Sequence, residues 1–330
     1  MSNPFNPRRL PVTTRPMSAA SKTIMSNVDE MLSASDLKQN YKSVLKSLNR
    51  VPAAERNLSW VERAIILYAK TGNKLSRATS LNTRLAGARK KAGEKAKYAK
   101  FSKRLEQEIA PYRLTNHGRV LPFRHRDPEP ILANLSKVFS LLDSHGYVAF
   151  INSGTLLGAV RDGGFLPHDD DIDLAVLITG TTPSERIAAL RQLGRIIEAS
   201  GLSTSPVKLS RSSPLVKLET ADNVGVDLFP FWLENDRVHI WPHTFGELSK
   251  DQVLPLGTTV LHGVTVPTPA EPEAMLAINY GQGWKSPDSF FRFDWTTARE
   301  RFHDEIVAFT RQSRSLHNRI ARLFGRGDHP

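Results

Sequence analysis

Phe150-Ile151-Asn152-Ser153-Gly154-Thr155-Leu156-Leu157-Gly158-Ala159-Val160-Arg161 is followed, a loop later, by His168-Asp169-Asp170-Asp171-Ile172-Asp173-Leu174-Ala175-Val176-Leu177-Ile178. Asp169, Asp170, Asp171 and Asp173 crowd together just before the apolar run 174–178, which reads as a strand buried on both faces. Strand side chains alternate, so Asp171 and Asp173 share one face while Ile172 and Leu174 point into the core. Two carboxylates on one face are half of a site for a hard cation. Magnesium takes oxygen ligands at about 2.0–2.1 Å and keeps several waters, which leaves positions open to phosphate. A bare Asp-x-Asp also fits a solvated acidic loop, but the preceding residues weigh against that reading. Residues 147–151 read as a short strand, and Ser153, Gly154 and Thr155 as a small turn opening a helix through Leu157 and Val160 to Arg161. Glycine lets backbone amides approach an anion, and a helix N-terminus carries partial positive charge. A phosphate is therefore expected at Gly154 and Thr155, opposite the strand carboxylates.

The segment from Gly154 to Arg161, with Phe165-Leu166-Pro167-His168 and the acidic run after it, resembles the signature of the LicD family. That family includes phosphocholine transferases and the fukutin-related enzymes. The resemblance implies a nucleotidyltransferase-like α/β fold: a mixed sheet flanked by helices. It also implies transfer of a phospho-alcohol, such as choline, ribitol or glycerol phosphate, from a CDP-linked donor to a hydroxyl of a cell-surface glycan. The family usually has Trp between the proline and the acids. Here His168 stands in that place, which changes a wall of the pocket but removes no carboxylate.

Composition bounds the rest. The chain has 330 residues, 40% of them hydrophobic and 24% charged, as expected of globular domains. The absence of cysteine excludes disulfides, thiol catalysis and cysteine-ligated metals. No apolar run approaches the roughly 20 residues that a bilayer span needs. The net charge of +12 is unevenly spread: residues 1–126 hold 26 Lys and Arg against 8 acids, and residues 127–330 hold 19 against 25. A basic front and a mildly acidic rear imply different partners.

Three regions are expected: a disordered basic tail (1–28), a basic helical region (29–126) and a catalytic α/β domain (127–330). The tail carries Pro4, Pro7, Pro11 and Pro16 and has no acid before Asp29. Its prolines also argue against an amphipathic transit peptide. Leu37, Tyr41, Val44 and Leu48 predict one helix. Leu58, Val61, Ile65, Ile66 and Ala69 predict a second, opened by Pro52 and closed by Gly72. A third helix is expected over 75–105, carrying Arg89, Lys90, Lys91, Lys95, Lys97, Lys100, Lys103 and Arg104. Residues 115–128 read as a linker. The positive patch is either a solvated helix face or a contact for an anionic membrane, an acidic glycan or nucleic acid. Tyr98 and Phe101 are too few for base stacking, which makes nucleic acid the weaker reading. Without a secretory signal or a span, the expected place is cytoplasmic, peripheral at the inner face of the membrane.

In the rear, Asp127 and Pro128 predict the start of a helix that Gly146 ends. Thr182-Pro183-Ser184-Glu185 is a capping box for another. Residues 215–220 and 224–229 read as antiparallel strands turning at Asp222-Asn223. Alternation sets Gly225, Asp227 and Phe229 on the face opposite Val226 and Leu228, so Asp227 is a candidate third carboxylate. The resemblance points the same way, through Val226-Asp227-Leu228-Phe229-Pro230. Lys217 on the partner strand is a candidate for phosphate, with an outward solvated lysine as the alternative.

Hairpins are expected at Asn235-Asp236 and His262-Gly263. A short helix should end at Gly281, and Tyr280-Gly281-Gln282-Gly283-Trp284 resembles the family's closing segment. A last helix should bury Phe302, Ile306, Phe309, Leu316 and Ile320.

The expected site is then Asp171, Asp173 and Asp227 on Mg2+ or Mn2+, with Asp227 a candidate base. Gly154, Thr155, Arg161, Asp170 and Lys217 are placed toward the donor. Two other functions fit the same residues: nucleotidyl transfer from an NTP to a small molecule or RNA, and a non-catalytic pocket for a nucleotide or glycan.

Overall fold

The computed structural model describes residues 16–115, 118–210, 213–288, 291 and 293–311. The chain divides into two compact units, residues 1–125 and 126–330.

The first unit is helical: α1 (Ala19–Ser33), α2 (Tyr41–Asn49), α3 (Leu58–Thr71), α4 (Leu75–Lys91) and α5 (Lys95–Ile109). They are followed by the hairpin β1 (Arg113–Thr115) and β2 (Gly118–Val120). Helix α3 is the axis of this unit. Trp60, Val61, Ala64, Ile65, Ile66, Leu67, Tyr68 and Ala69 are all buried, as a helix apolar on every face must be. Met25, Val28 and Leu32 of α1 and Phe101, Leu105 and Ile109 of α5 belong to the same apolar cluster.

Several expectations are corrected here. The tail read as disordered to residue 28 is helical from Ala19, because Met25 and Val28 have an apolar partner that periodicity alone does not show. Residues 1–15 lie outside the described residues. Asn57, not Pro52, caps α3: its side chain accepts from the amides of Ser59 and Trp60. The single helix expected over 75–105 is two, broken where Gly93 takes a left-handed φ of 71°. The expected linker starts inside a hairpin: it takes in Thr115, the last residue of β1, and all of β2. The positive patch is also thinner than the sequence suggests. Arg89 is buried between Glu62 and Glu94, and Arg104 pairs with Asp29, so the lysines carry the exposed charge.

The second unit begins with α6 (Pro128–Ser144), capped by the Asp127 carboxylate. Strand β3 (Ala149–Ile151), α7 (Ser153–Asp162) and β4 (Asp171–Leu177) follow. Next come α8 (Pro183–Ser200), with both bonds of its capping box formed, β5 (Lys208–Leu209), β6 (Val216–Glu219) and β7 (Gly225–Glu234). Strands β8 (Arg237–Ile240) and β9 (Thr244–Ser249) and the hairpin β10 (Gly257–Leu261) and β11 (Val264–Thr268) come next. Helices α9 (Pro272–Tyr280) and α10 (Trp295–Arg301) complete the set. Residues 303–311 continue helically, and Phe302 and Phe309 are buried as expected, while Leu316 and Ile320 lie outside the described residues.

The main sheet runs β3-β4-β7-β6-β5, with β8 and β9 extending from β7. Its β4–β7 pair is parallel and the other pairs are antiparallel, which makes the sheet mixed. Strands β4 and β7 are the middle of the domain. Leu174, Ala175, Val176, Val226, Leu228 and Phe231 are buried, and Phe150 packs on Phe231 with ring centroids 5.2 Å apart.

Candidate active site

The parallel register of β4 and β7 pairs Asp171 with Gly225 and Asp173 with Asp227. Asp173 and Asp227 are thus lateral neighbours on one face, and Asp171 lies two residues up the same strand. One ligand oxygen from each of Asp171, Asp173 and Asp227 lies within 4.8 Å of the others. Asp169, Asp170 and Asp171 form a second such group on the loop before β4, so Asp171 belongs to both.

The carboxylates repel one another. Burial, and then Asp171, Asp169 and Asp227, push the Asp173 carboxyl well above the usual carboxylate range, and one amide hydrogen bond only partly offsets this. A hard divalent cation would remove that repulsion. The donor set is all carboxylate oxygen, as magnesium or manganese prefers, so the residues fit such an ion. Asp171, Asp173 and Asp227 would hold it.

The turn before α7 serves these acids directly. The Gly154 N–H donates to Asp173 Oδ2 over 3.0 Å, and the Asp173 N–H donates to Thr155 Oγ1 over 2.9 Å. Thr155 is 2% exposed. Gly154 and Thr155 therefore support Asp173. Gly154 has a further reason to be glycine: a Cβ there would lie 2.5 Å from Asp169 Oδ2. Ser153 opens the helix at a φ of 44°, a left-handed conformation that a non-glycine residue adopts only under constraint. Beside it, both side-chain polar atoms of fully buried Asn152 lack a protein partner.

Lys217 faces Asp227 across the β6–β7 pair, and its Nζ bonds Asp227 Oδ2. Lys217 is thus the counter-ion of Asp227. Arg161, near the end of α7, holds both oxygens of Asp162 through Nε at 3.0 Å and Nη2 at 2.8 Å. That pairing raises the Arg161 pKa and leaves Nη1 to turn elsewhere.

Two residues outside the expected set complete the site. His262, at the tip of the β10–β11 hairpin, accepts the Phe165 N–H at Nε2 over 2.9 Å, and its backbone N–H donates to the Gly163 carbonyl. The hairpin thereby fastens the turn that leads into the acidic loop, a role no local pattern announces. Tyr280, the last residue of α9, is held between Phe291 and His243, with ring centroids 5.3 and 6.1 Å away. Burial, with Asp173 and Asp169, raises its hydroxyl pKa, and Arg161 opposes them. In sequence it reads only as a helix end and part of the family's closing segment.

Residues 146–271 match the sequence model of the LicD/FKTN/FKRP nucleotidyltransferase domain. That segment is similar to the LicD family. The matched segment holds the whole acidic cluster, whereas Tyr280 lies just past its end. An uncharacterised Caenorhabditis elegans protein, T07A5.1, is 28% identical over 181 residues, covering 49% of this chain and 44% of that protein. The ribitol-5-phosphate transferase FKTN of Mus musculus is 28% identical over 160 residues, covering 46% of this chain and 32% of that protein. The chain thus spans less than half the length of these curated relatives. Solved structures of ANT(2'')-Ia, one in complex with adenylyl-2''-tobramycin, give TM-scores of 0.33 and 0.32 at 18% identity. They cover 58% and 59% of this chain and 97% of their own, a likeness too slight to carry an argument. Among the described residues, no helix is long and apolar enough to cross a membrane.

Proposed function

We propose that the protein is a metal-dependent phosphotransferase that moves a phospho-alcohol from a CDP-linked donor to a hydroxyl of a glycan. The observation that carries this reading is the in-register set Asp171, Asp173 and Asp227 on neighbouring parallel strands. It is supported by the LicD match around that set and by FKTN, a ribitol-5-phosphate transferase, among the relatives.

The chemistry needs its charges balanced. A divalent ion on these carboxylates would neutralise the donor's diphosphate and polarise its P–O bond. The acceptor hydroxyl oxygen bonds to the phosphorus that bears the alcohol, the bond from that phosphorus to the bridging oxygen breaks, and CMP leaves with the electron pair. The hydroxyl proton passes to a carboxylate of the cluster. Lys217 pairs with Asp227, and the Gly154 amide and Thr155 hydroxyl fix Asp173, so the ligands are oriented before substrate arrives.

The test is nucleotide release by purified protein with Mg2+ or Mn2+, offered CDP-choline, CDP-ribitol, CDP-glycerol and the four NTPs. The expected result is CMP from one CDP-alcohol, lost in Asp171→Asn and Asp173→Asn. Pyrophosphate from an NTP would replace this reading with nucleotidyl transfer; no turnover with any donor and acceptor glycan would leave a binding protein.

The helical unit has its own proposed role. Lys90, Lys91, Lys95, Lys100 and Lys103 are exposed on α4 and α5 and the segment joining them. We propose that they hold the enzyme at an anionic membrane surface, where each basic residue contributes about 1 kcal/mol. This would place the protein peripherally, at a cytoplasmic membrane face.

A further inference from the structure

Beyond the three carboxylates, the acid face of the sheet continues across two more strands. Register pairs Asp173 of β4 with Asp227 of β7, Asp227 with Lys217 of β6, and Lys217 with Lys208 of β5. Paired residues on neighbouring strands point to the same face, so two acids and two lysines stand in one lateral row. Two contacts fix which face that is. Lys217 bonds Asp227, and Leu209, the neighbour of Lys208 in β5, packs on the opposite side against Ile187 of α8 and Phe309. Lys208 therefore lies on the face of the acids.

Its position is costly as it stands. Like charges directly opposite each other on antiparallel strands repel. Lys217 has Asp227 as its partner, whereas Lys208 is exposed and makes no hydrogen bond or ion pair to another described residue. A lysine on an edge strand can serve simply to repel other chains, and β5 is such an edge. Charge balance on this face points further. Asp171, Asp173 and Asp227 carry three negative charges, which Lys217 and a divalent ion would together neutralise. An arriving phosphate brings new negative charge, and Lys208 is the cation left in the row to meet it. Strands lie about 4.8 Å apart, so Lys208 starts two spacings, about 9.6 Å, from Asp227, a span that its four-carbon stem and one phosphate group bridge together.

We propose that Lys208 is a phosphate-binding residue, its ammonium donating to an oxygen of a phosphate held at the acid row. This rests on the proposed function for the presence of a phosphate there. That phosphate belongs either to the donor's diphosphate or to a phosphate-bearing acceptor, and the recognition chemistry is the same for both.

The test compares wild type with Lys208→Met and Lys208→Arg, using CDP and glycerol 3-phosphate as probes of the two sources. Affinities for Mn2+ alone, and for each probe in saturating Mn2+, are measured by calorimetry at about 0.15 M salt, with circular dichroism and sedimentation as checks on folding and self-association. Lys208 is exposed, so both variants should fold. Lys208→Met should weaken at least one probe roughly five- to thirty-fold, and Lys208→Arg, which keeps the charge, should retain most of the affinity. Loss with CDP alone assigns the contact to the donor, and loss that extends to glycerol 3-phosphate assigns it to an acceptor phosphate. Mn2+ affinity should stay within about twofold, because Lys208 is not a ligand and its charge is screened. Probe affinities within about twofold of wild type in Lys208→Met would overturn the proposal and leave the phosphotransferase reading intact; self-association at unchanged affinity would assign the lysine to edge protection instead. An equal loss in Lys208→Arg would overturn it as well. Failure of the wild type to bind either probe with Mn2+ would overturn both readings together. A loss of affinity in Lys208→Met, in a protein that releases no CMP from any CDP-alcohol, would uphold the phosphate contact and overturn the reaction.

Discussion

Gly154 and Gly158 stand one helical turn apart on α7, and the same substitution should do different damage at each. At Gly154 a new Cβ meets Asp169 Oδ2 at 2.5 Å and Asp173 Oδ2 at 3.4 Å. Ordinary contact begins at 3.4 Å, so the Asp169 carboxylate must retreat about 0.9 Å, the gap between those two distances. A side-chain end can do this for about 0.5–1.5 kcal/mol of rotamer strain. Alanine returns about 0.5–1 kcal/mol over glycine within a helix. The two nearly cancel, so Gly154→Ala should melt within about 3 °C of wild type.

The site should suffer instead. A supporting group displaced beside a metal typically costs roughly 10- to 100-fold in metal affinity or activity. At Gly158 the obstacle is backbone: the Gly164 carbonyl at 2.5 Å and the Leu166 amide nitrogen at 3.0 Å. Overpacking of that kind costs about 1–3 kcal/mol, which for a domain of this size lowers the melting temperature by roughly 2–12 °C. Thermal melts, with Mn2+ titration by calorimetry, separate the two variants. Full Mn2+ affinity in Gly154→Ala, or equal loss of melting temperature in both, would refute the reasoning.

Removing the counter-ion of Asp227 should expose the repulsion that Lys217 now offsets. Lys217→Met should destabilise the metal-free protein by roughly 1–3 kcal/mol, the lysine being partly solvated, and saturating Mn2+ should recover most of the loss in a thermal melt. His243 is half-buried, and desolvation lowers its pKa to about 4. A depressed histidine gives stability that is present above its unfolded value near 6.5 and is lost as pH falls toward 4. It should account for roughly 3 kcal/mol of acid destabilisation, which His243→Phe removes in denaturant melts across that range. In flotation assays with phosphatidylserine vesicles, the full chain should bind at low salt and release near 0.5 M. The triple change Lys95→Glu, Lys100→Glu, Lys103→Glu should abolish binding, and salt-insensitive binding would count against the membrane role.

Periodicity and turn chemistry made most of the second unit legible. Alternation placed Asp171 and Asp173 on one face, Asn223 turned β6 into β7 with a φ of 57°, and the capping box at Thr182 formed both its bonds. These are local rules that act within a few residues. The helical unit was read less well, because Met25 and Val28 become a helix face only when α3 and its neighbours cover them. The positive patch was overstated for the same reason: a one-dimensional count does not show that Arg89 and Arg104 turn inward to Glu62, Glu94 and Asp29.

By itself the sequence determined the acidic strand, its alternation, the caps and turns, and the kinship of 146–271. Tertiary structure alone decided that β7 lies parallel to β4 in the register that sets Asp227 beside Asp173. It also decided that Gly154 and Thr155 serve a carboxylate and that Lys217 neutralises Asp227. The physical reason is range. Backbone propensity and side-chain alternation are set by neighbours in the chain, whereas charge pairing and packing depend on which distant strands and helices the apolar core brings together.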